Sequence, residues 1–346
     1  MLEIDGSIGG GSILRVGAGF AVLTQTPIHV FNIRKNRDKP GLRTQHMVGL
    51  QAAADLSGGV LDGAEVGSTE ITFQPGIVAK QQVDLSIATA GSMGLVLQAL
   101  QIACLQAPDT TISVNIRGGG TYGTGAPSTA FLQNVTYPVF KLMGYSVDLR
   151  VNRHGFYPKG GASATVEFRP PVSLRPLVLE ERGELVKIGG FAIAHSNLQK
   201  PRVCERIADQ VSKSLGSIVH PGDIAISYVN TLSVGVGVDL WAEFDSGARL
   251  GTGTILGERG VPSETIAQNA VQQMQSILDS GATVDPYLSD QVLPLLAACP
   301  EPCAVVAPAL TLHASTNIDI LRLFAPGVRF ITEQHGKLVT IRSELA

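Results

Sequence analysis

The strongest constraint on the fold is an internal echo. Ser68-Thr-Glu-Ile-Thr-Phe-Gln-Pro75 and Ser163-Ala-Thr-Val-Glu-Phe-Arg-Pro170 follow the same pattern 95 residues apart. Each reads as a strand closed by proline, preceded by a helix-compatible segment and a glycine-bearing turn. One βαβαββ-type unit is therefore used twice. A third end-strand, Leu338-Val-Thr-Ile-Arg342, lies roughly 80 residues beyond where another period would place it. An inserted domain inside the third unit accounts for that surplus. The expected fold is α+β: three repeated βαβαββ-type units forming a core, with one smaller α/β domain inserted in the third unit. The expected boundaries are 1–181 for the first two repeats and the start of the third, 182–278 for the insertion, and 279–346 for the rest of the core.

Local patterning supplies the elements. Pro27 to Ile33 alternates as a strand, and Gln45 to Leu56 is helix-compatible up to Gly58-Gly59. A helix is expected over Ser92 to Leu105, a strand over Thr111 to Ile116 and a helix over Ser128 to Met143. The insertion carries a helix from Pro201 to Leu215, strands over Ile224 to Val229 and Val234 to Glu243, and a helix from Ser263 to Leu278. Ser263 is the expected N-cap, with Glu264 at the positive end of the helix dipole. The insertion has few convergent polar residues and reads as a scaffolding or substrate-guiding module.

With 44% hydrophobic and 16% charged residues, the chain has ample material for a packed core. A net charge of −3 means that any nucleic-acid site has to be a local basic cluster. Cys104, Cys204, Cys299 and Cys303 are too scattered for a disulfide framework, and Cys299 and Cys303 lack two further ligands for zinc, so buried reduced thiols are expected. Glu3 and Asp5 stand where a signal peptide needs apolar residues. Met93 to Leu105, interrupted by Gln98 and Gln101, is too short to span a bilayer. A cytoplasmic protein with no membrane contact is the expectation.

Three segments could carry chemistry. Asp5-Gly-Ser-Ile-Gly-Gly-Gly-Ser-Ile-Leu-Arg15 follows a strand and opens a helix, so its N–H groups and the helix terminus suit an anion, with Arg15 in reach. No Gly-Lys-Ser/Thr follows, so it is no Walker A loop, and a tight turn needing small residues is the other reading. Arg34-Lys-Asn-Arg37-Asp-Lys39-Pro-Gly-Leu-Arg43 places five basic residues within ten, on a loop set by Pro40-Gly41 and beside Gln45 and His46. Arginine forks there suit a triphosphate or an RNA end, against the alternative of a solvated loop. Pro308-Ala-Leu-Thr-Leu-His313-Ala-Ser-Thr-Asn-Ile318 puts a histidine on a strand-to-helix loop, with the helix expected from Asn317 to Phe324. A neutral imidazole can be a nucleophile toward phosphorus, although a lone histidine is more often structural.

Together these residues resemble the RNA 3′-terminal phosphate cyclase family. The likeness rests on the Asp5-Gly6 loop ending in Ile13-Leu14-Arg15, Lys39-Pro-Gly-Leu-Arg-Thr-Gln-His46, Ala90-Gly-Ser with Leu95-Val-Leu-Gln98, Arg153-His-Gly-Phe-Tyr-Pro-Lys-Gly-Gly161, Tyr287-Leu-Ser-Asp-Gln291 and His313-Ala-Ser-Thr-Asn-Ile318. It covers the chain from Ile4 to the C-terminus, the insertion least securely. The resemblance implies a core related to that of enolpyruvyl transferases and an ATP-dependent enzyme of the ligase class. It would convert an RNA 3′-phosphate to a 2′,3′-cyclic phosphate through AMP carried on His313. It further implies that Gln98, Pro127, Tyr287, Leu288, Ser289, Asp290 and Gln291 hold ATP. Arg15, Arg34, Arg37 and Gln45 would serve the phosphates or the RNA end. A divalent metal, magnesium or manganese, is implied with ligands unknown. The family's first loop is longer and carries a glutamate, the expected protein ligand of that metal; here Gly9-Gly10-Gly11-Ser12 has no acid. A non-catalytic relative acting in ribosome assembly or RNA binding, and an enolpyruvyl-type transferase, are the competing readings. A homodimer is left open.

Overall fold

The first unit runs β1 (Leu2–Asp5), α1 (Gly11–Thr24), β2 (Ile28–Phe31), α2 (Thr44–Ser57), β3 (Val60–Asp62) and β4 (Ile71–Gln74). The strands pair in the order β1-β2-β4-β3, the first pair parallel and the others antiparallel. The second unit is β5 (Gln82–Ser92), α3 (Met93–Ala103), β6 (Ile112–Gly120), α4 (Thr129–Phe131), α5 (Tyr137–Leu142), β7 (Ser146–Arg153) and β8 (Ser163–Arg169). Its order, β5-β6-β8-β7, and its pairing senses are the same. The computed structural model describes residues 1–8, 10–216 and 222–346. Gly9 of the glycine loop and residues 217–221 of the expected insertion lie outside the described residues.

The third unit opens with β9 (Val178–Leu179). There follow β10 (Leu185–His195), α6 (Val203–Leu215), β11 (Ile224–Val229), β12 (Val236–Phe244), β13 (Arg249–Gly251), β14 (Ile255–Leu256) and α7 (Ser263–Ser280). The unit resumes with α8 (Pro286–Ala298), β15 (Cys303–Ala307), α9 (Leu312–Phe324), β16 (Val328–His335) and β17 (Leu338–Leu345). Its sheet, β9-β15-β17-β16, repeats the order of the other two, so the chain is α+β with one topology used three times. β10 to β14 form a separate sheet. The Arg182 guanidinium donates to Leu278 O at 2.6 Å, so the two ends of the intervening segment meet.

α1 and α3 lie in the core. α1 is buried along almost its whole length from Ile13 to Val22, as a helix apolar on every side must be. It crosses α3 so closely that a Cβ on Gly19 would sit 2.6 Å from Ile102 Cβ. Among the described residues no helix is long and apolar enough to cross a membrane, and all four cysteines are free and buried.

Three local expectations are corrected. The helix expected over Ser128 to Met143 is α4, a π-helical turn over Leu132–Thr136, then α5; the ladder widens where Pro138 has no N–H to give. Pro262, not Ser263, is the N-cap of α7: its carbonyl accepts from Thr265 N and Ile266 N, while no side chain caps the helix. α9 begins at Leu312 rather than Asn317, because Thr311 caps it with its hydroxyl on Ala314 N at 2.9 Å. His313 is therefore in the first turn of a helix, where its backbone is fixed.

Candidate functional site

A cavity of about 230 Å³ opens between α1, α3, α8 and the first turn of α9. Arg15 reaches it from α1, Gln98 from α3, Tyr287, Asp290 and Gln291 from α8, and His313 from α9. Loops at Gly125–Pro127 and Gly253–Thr254 close two of its sides.

Hydrogen bonds lock the three helix starts to one another. Ser12 Oγ, in the first turn of α1, donates to Asn317 Oδ1 at 2.5 Å, and Asn317 Nδ2 donates to Asp290 O at 3.1 Å. The Thr311 hydroxyl that caps α9 also donates to Asp290 Oδ1 at 2.6 Å. His313 is thus held against α8 by its own helix cap. Arg15 Nε donates to Gln98 Oε1 at 2.5 Å, which aims the guanidinium across the cavity.

α8 explains why only part of its motif reaches the site. Asp285 caps the helix, accepting from Tyr287 N at 2.8 Å and Leu288 N at 2.9 Å, while its Oδ2 takes Gly251 N at 2.9 Å. Tyr287, Asp290, Gln291 and Pro294 then fall on one face at helical spacing and line the cavity. Leu288 and Ser289 fall on the opposite face and are fully buried, Ser289 Oγ donating to Pro286 O at 2.9 Å. The structure does not bring these two to the site. The Tyr287 ring lies against Gly253, where a Cβ would stand 2.8 Å from its Cε2, and meets Phe131 edge-on at 6.2 Å. Pro127 faces the cavity from the other loop.

The basic loop divides. Arg34 Nη1 donates to Lys39 O at 3.0 Å and Gly41 O at 2.8 Å, so this guanidinium holds the loop's own shape. Arg37 instead lies over the glycine loop, its Nη2 3.2 Å from where a Cβ on Gly10 would be. Arg15 and His46 crowd Gly11 in the same way. Gln45 Oε1 accepts from Ser92 N at 3.1 Å, which joins the start of α2 to the cap of α3. His46 Nδ1 accepts from Arg43 N at 3.2 Å, leaving Nε2 as the protonated nitrogen of the neutral ring.

Charge follows from this crowding. Burial, then Arg15, Arg34 and Arg43, push His46 down to about 3, so it is a neutral donor. The His313 imidazole is also held below its ordinary 6.5, first by burial, then by the Arg15 and Arg37 charges. Burial lowers Arg15 to about 10, against the pull of Asp290, and it stays charged at neutral pH. Asp290 is raised to about 6 by burial, offset by the Thr311 hydroxyl and Arg15. Among the described residues no three His, Cys, Asp or Glu side chains gather as a metal-ligand cluster. The protein's own acids therefore do not fit a multidentate cation site here. The arrangement can bind an anion at Arg15 and Arg37, hold a flat ring between Tyr287 and Pro127, and offer a neutral imidazole at the boundary of the two.

Sequence reasoning missed Ser12, Thr311 and Asn317, which position His313 and Asp290, and His46 as a donor. Thr311, three residues before Ala314 at the head of an apolar helix, had the form of a cap. The others gave no local signal.

A family model described as RNA 3′-terminal phosphate cyclase matches residues 7–330. Proteins named RNA 3′-terminal phosphate cyclase are similar over nearly the full length. That of Methanothermobacter thermautotrophicus is 38% identical over 99% of this chain and 99% of its own. That of Methanopyrus kandleri is 35% identical over 99% and 98%, and that of Pyrococcus furiosus 36% over 94% and 93%.

Proposed function

The chain belongs to the RNA 3′-terminal phosphate cyclase family, and we propose that it closes RNA 3′-phosphate ends to 2′,3′-cyclic phosphates in the cytoplasm, at the expense of ATP and through a histidine–AMP intermediate. The observation that carries the reading is the convergence of His313, Arg15, Asp290 and Tyr287 on one cavity, with Arg37 over its glycine edge.

In the first step a ring nitrogen of neutral His313 bonds to the α-phosphorus of ATP as the bond to the β-phosphate oxygen breaks. Pyrophosphate leaves with that electron pair, and Arg15 and Arg37 take up its charge. In the second step an oxygen of the RNA 3′-phosphate displaces His313 from phosphorus, so AMP passes to the RNA end. In the third, the 2′-hydroxyl oxygen bonds to the 3′-phosphorus as its proton passes to solvent, and the phosphoanhydride bond breaks with AMP leaving on its electron pair. That nucleophile is already intramolecular, so orientation by the protein suffices. A divalent cation would arrive on the nucleotide's own phosphates, as magnesium commonly does, rather than on an acid of the glycine loop. We assign residues 182–278 to an inserted domain and 1–181 with 279–346 to the core; the Arg182–Leu278 contact supports this.

The test is incubation with α-labelled ATP and a divalent metal. Label should survive base and be lost in acid, and His313→Ala should abolish it. A protein that binds RNA 3′-phosphate ends but never acquires label would be a non-catalytic relative.

A further inference from the structure

One side chain of the cavity wall has an oxygen with no hydrogen-bond partner among the described residues. Gln101 follows Gln98 by three residues on α3, so the two amides face the same way. Gln98 gives its oxygen to Arg15. Gln101 lines the cavity, is only 1% exposed, and its Oε1 accepts no hydrogen bond. The cavity wall also carries apolar side chains, among them Val16, Ile102, Phe131 and Pro294. The Tyr145 hydroxyl donates to Gln101 O at 2.8 Å, fixing the helix that presents the side chain. An unpaired buried amide destabilises a fold, and an apolar residue of the same size would not. Packing therefore gives no reason for a glutamine at this position.

We propose that Gln101 is a base-reading residue: its amide pairs with the edge of an adenine ring lying in the cavity and makes the site selective for adenine nucleotides. The inference rests on the nucleotide reading above and names the base that the cavity takes. An amide offers one acceptor beside one donor, and a half-turn of its terminal torsion exchanges them. Adenine carries the complement, the N6 amine beside the N7 acceptor, and a glutamine bonded to both is a recurrent pairing. Guanine presents two acceptors, N7 and O6, at that edge, so the amide oxygen would face a lone pair. The ring is flanked by Tyr287, backed by Gly253, and by Pro127, whose loop packs directly on Gly94 of α3. α3 thus brings the phosphate-side contact and the base-side contact from one rigid face.

The experiment compares equilibrium binding, by calorimetry on the full-length protein, of ATP, GTP and purine riboside triphosphate, which lacks the N6 amine. The wild type should prefer ATP to the amine-less analogue by about five- to a hundredfold, the cost of leaving the buried amide oxygen unpaired while the N7 bond remains. Gln101→Leu should bring that ratio to within about threefold by weakening ATP alone. Its melting temperature should equal or exceed that of the wild type, since a buried unpaired amide is removed. Gln101→Met is the second variant should leucine pack poorly. A wild type that does not separate the two nucleotides, or a Gln101→Leu protein that keeps the full ratio, overturns the proposal. Selective binding without labelling of His313 would overturn the covalent chemistry and leave base reading standing. No binding of any of the three overturns both.

Discussion

Replacing Asp239 with asparagine should remove a fall in stability between about pH 4 and pH 8 while leaving the fold intact. Asp239, on β12, is 1% exposed. Its Oδ1 accepts from Ser128 Oγ at 2.7 Å and from Thr254 Oγ1 at 3.3 Å. Ser128 caps α4 next to Pro127, and Thr254 lines the cavity, so one carboxyl ties together both loops that close the site. Oδ2 and the hydroxyl of neighbouring Tyr122 are buried, and neither has a partner of acceptable geometry. A proton on Oδ2 would supply one. Burial raises the carboxyl from 3.8 to about 7, against the pull of the surrounding hydroxyls.

A carboxyl raised in the folded state stays neutral there while the unfolded chain ionises. Its contribution to stability is therefore complete below about pH 4 and is lost as pH rises through about 7. Moving from 3.8 to about 7 corresponds to on the order of 4 kcal/mol. Asparagine keeps an acceptor for both hydroxyls and never ionises. Urea unfolding of the two proteins at fixed ionic strength should show the difference between them shifting by about 2 to 4 kcal/mol, in favour of Asp239→Asn, from pH 5 to pH 8. Asp285, raised to about 7, and Asp290, raised to about 6, titrate in the same range but cancel in that difference. A difference independent of pH would refute the reasoning, because Asp239 would then be ionised in the folded protein just as it is in the unfolded chain.

Gly11→Ala should cut labelling by about a hundredfold and lower the melting temperature as well, because the added methyl would collide with the buried His46 ring and lie 2.8 Å from Arg15 Nη1. Labelling against pH should have its acid limb below 6.5, since His313 must be neutral to attack; Arg37→Ala should move that limb upward by removing one of the charges that hold the imidazole down. Arg34→Ala should lower the melting temperature through two lost carbonyl bonds, whereas Arg37→Ala should leave it unchanged and lower the labelling rate.

The repeat was legible because a strand ladder and a helix face are local patterns, and local patterns survive copying. Ser68–Pro75, Ser163–Pro170 and Leu338–Arg342 all fall on the fourth strand of their units, β4, β8 and β17. β10 was not among the expected elements, and its Gly189-Gly190 pair lacks the side chains that mark a strand. In the fold those glycines are where Trp241, Leu240 and Ile224 close in, and a Cβ at either would stand 2.6 Å from the nearest side-chain atom.

At the site, the sequence by itself determined which residue types were on offer: glycines before a helix, clustered arginines, a histidine near a helix start. Only the tertiary structure decided their use. The loop arginines are alike in sequence, yet Arg34 folds back on its own carbonyls and Arg37 reaches the glycines. Leu288 and Ser289 share a motif with Tyr287 and Asp290, yet helical periodicity turns them inward. Gln101 stood out in the sequence only as a break in an apolar stretch and Asp239 not at all, because an unpaired amide and a neutral carboxyl are products of burial. Burial depends on α1, α3, α8, α9 and β12 meeting across hundreds of residues, and no short window of sequence contains that distance.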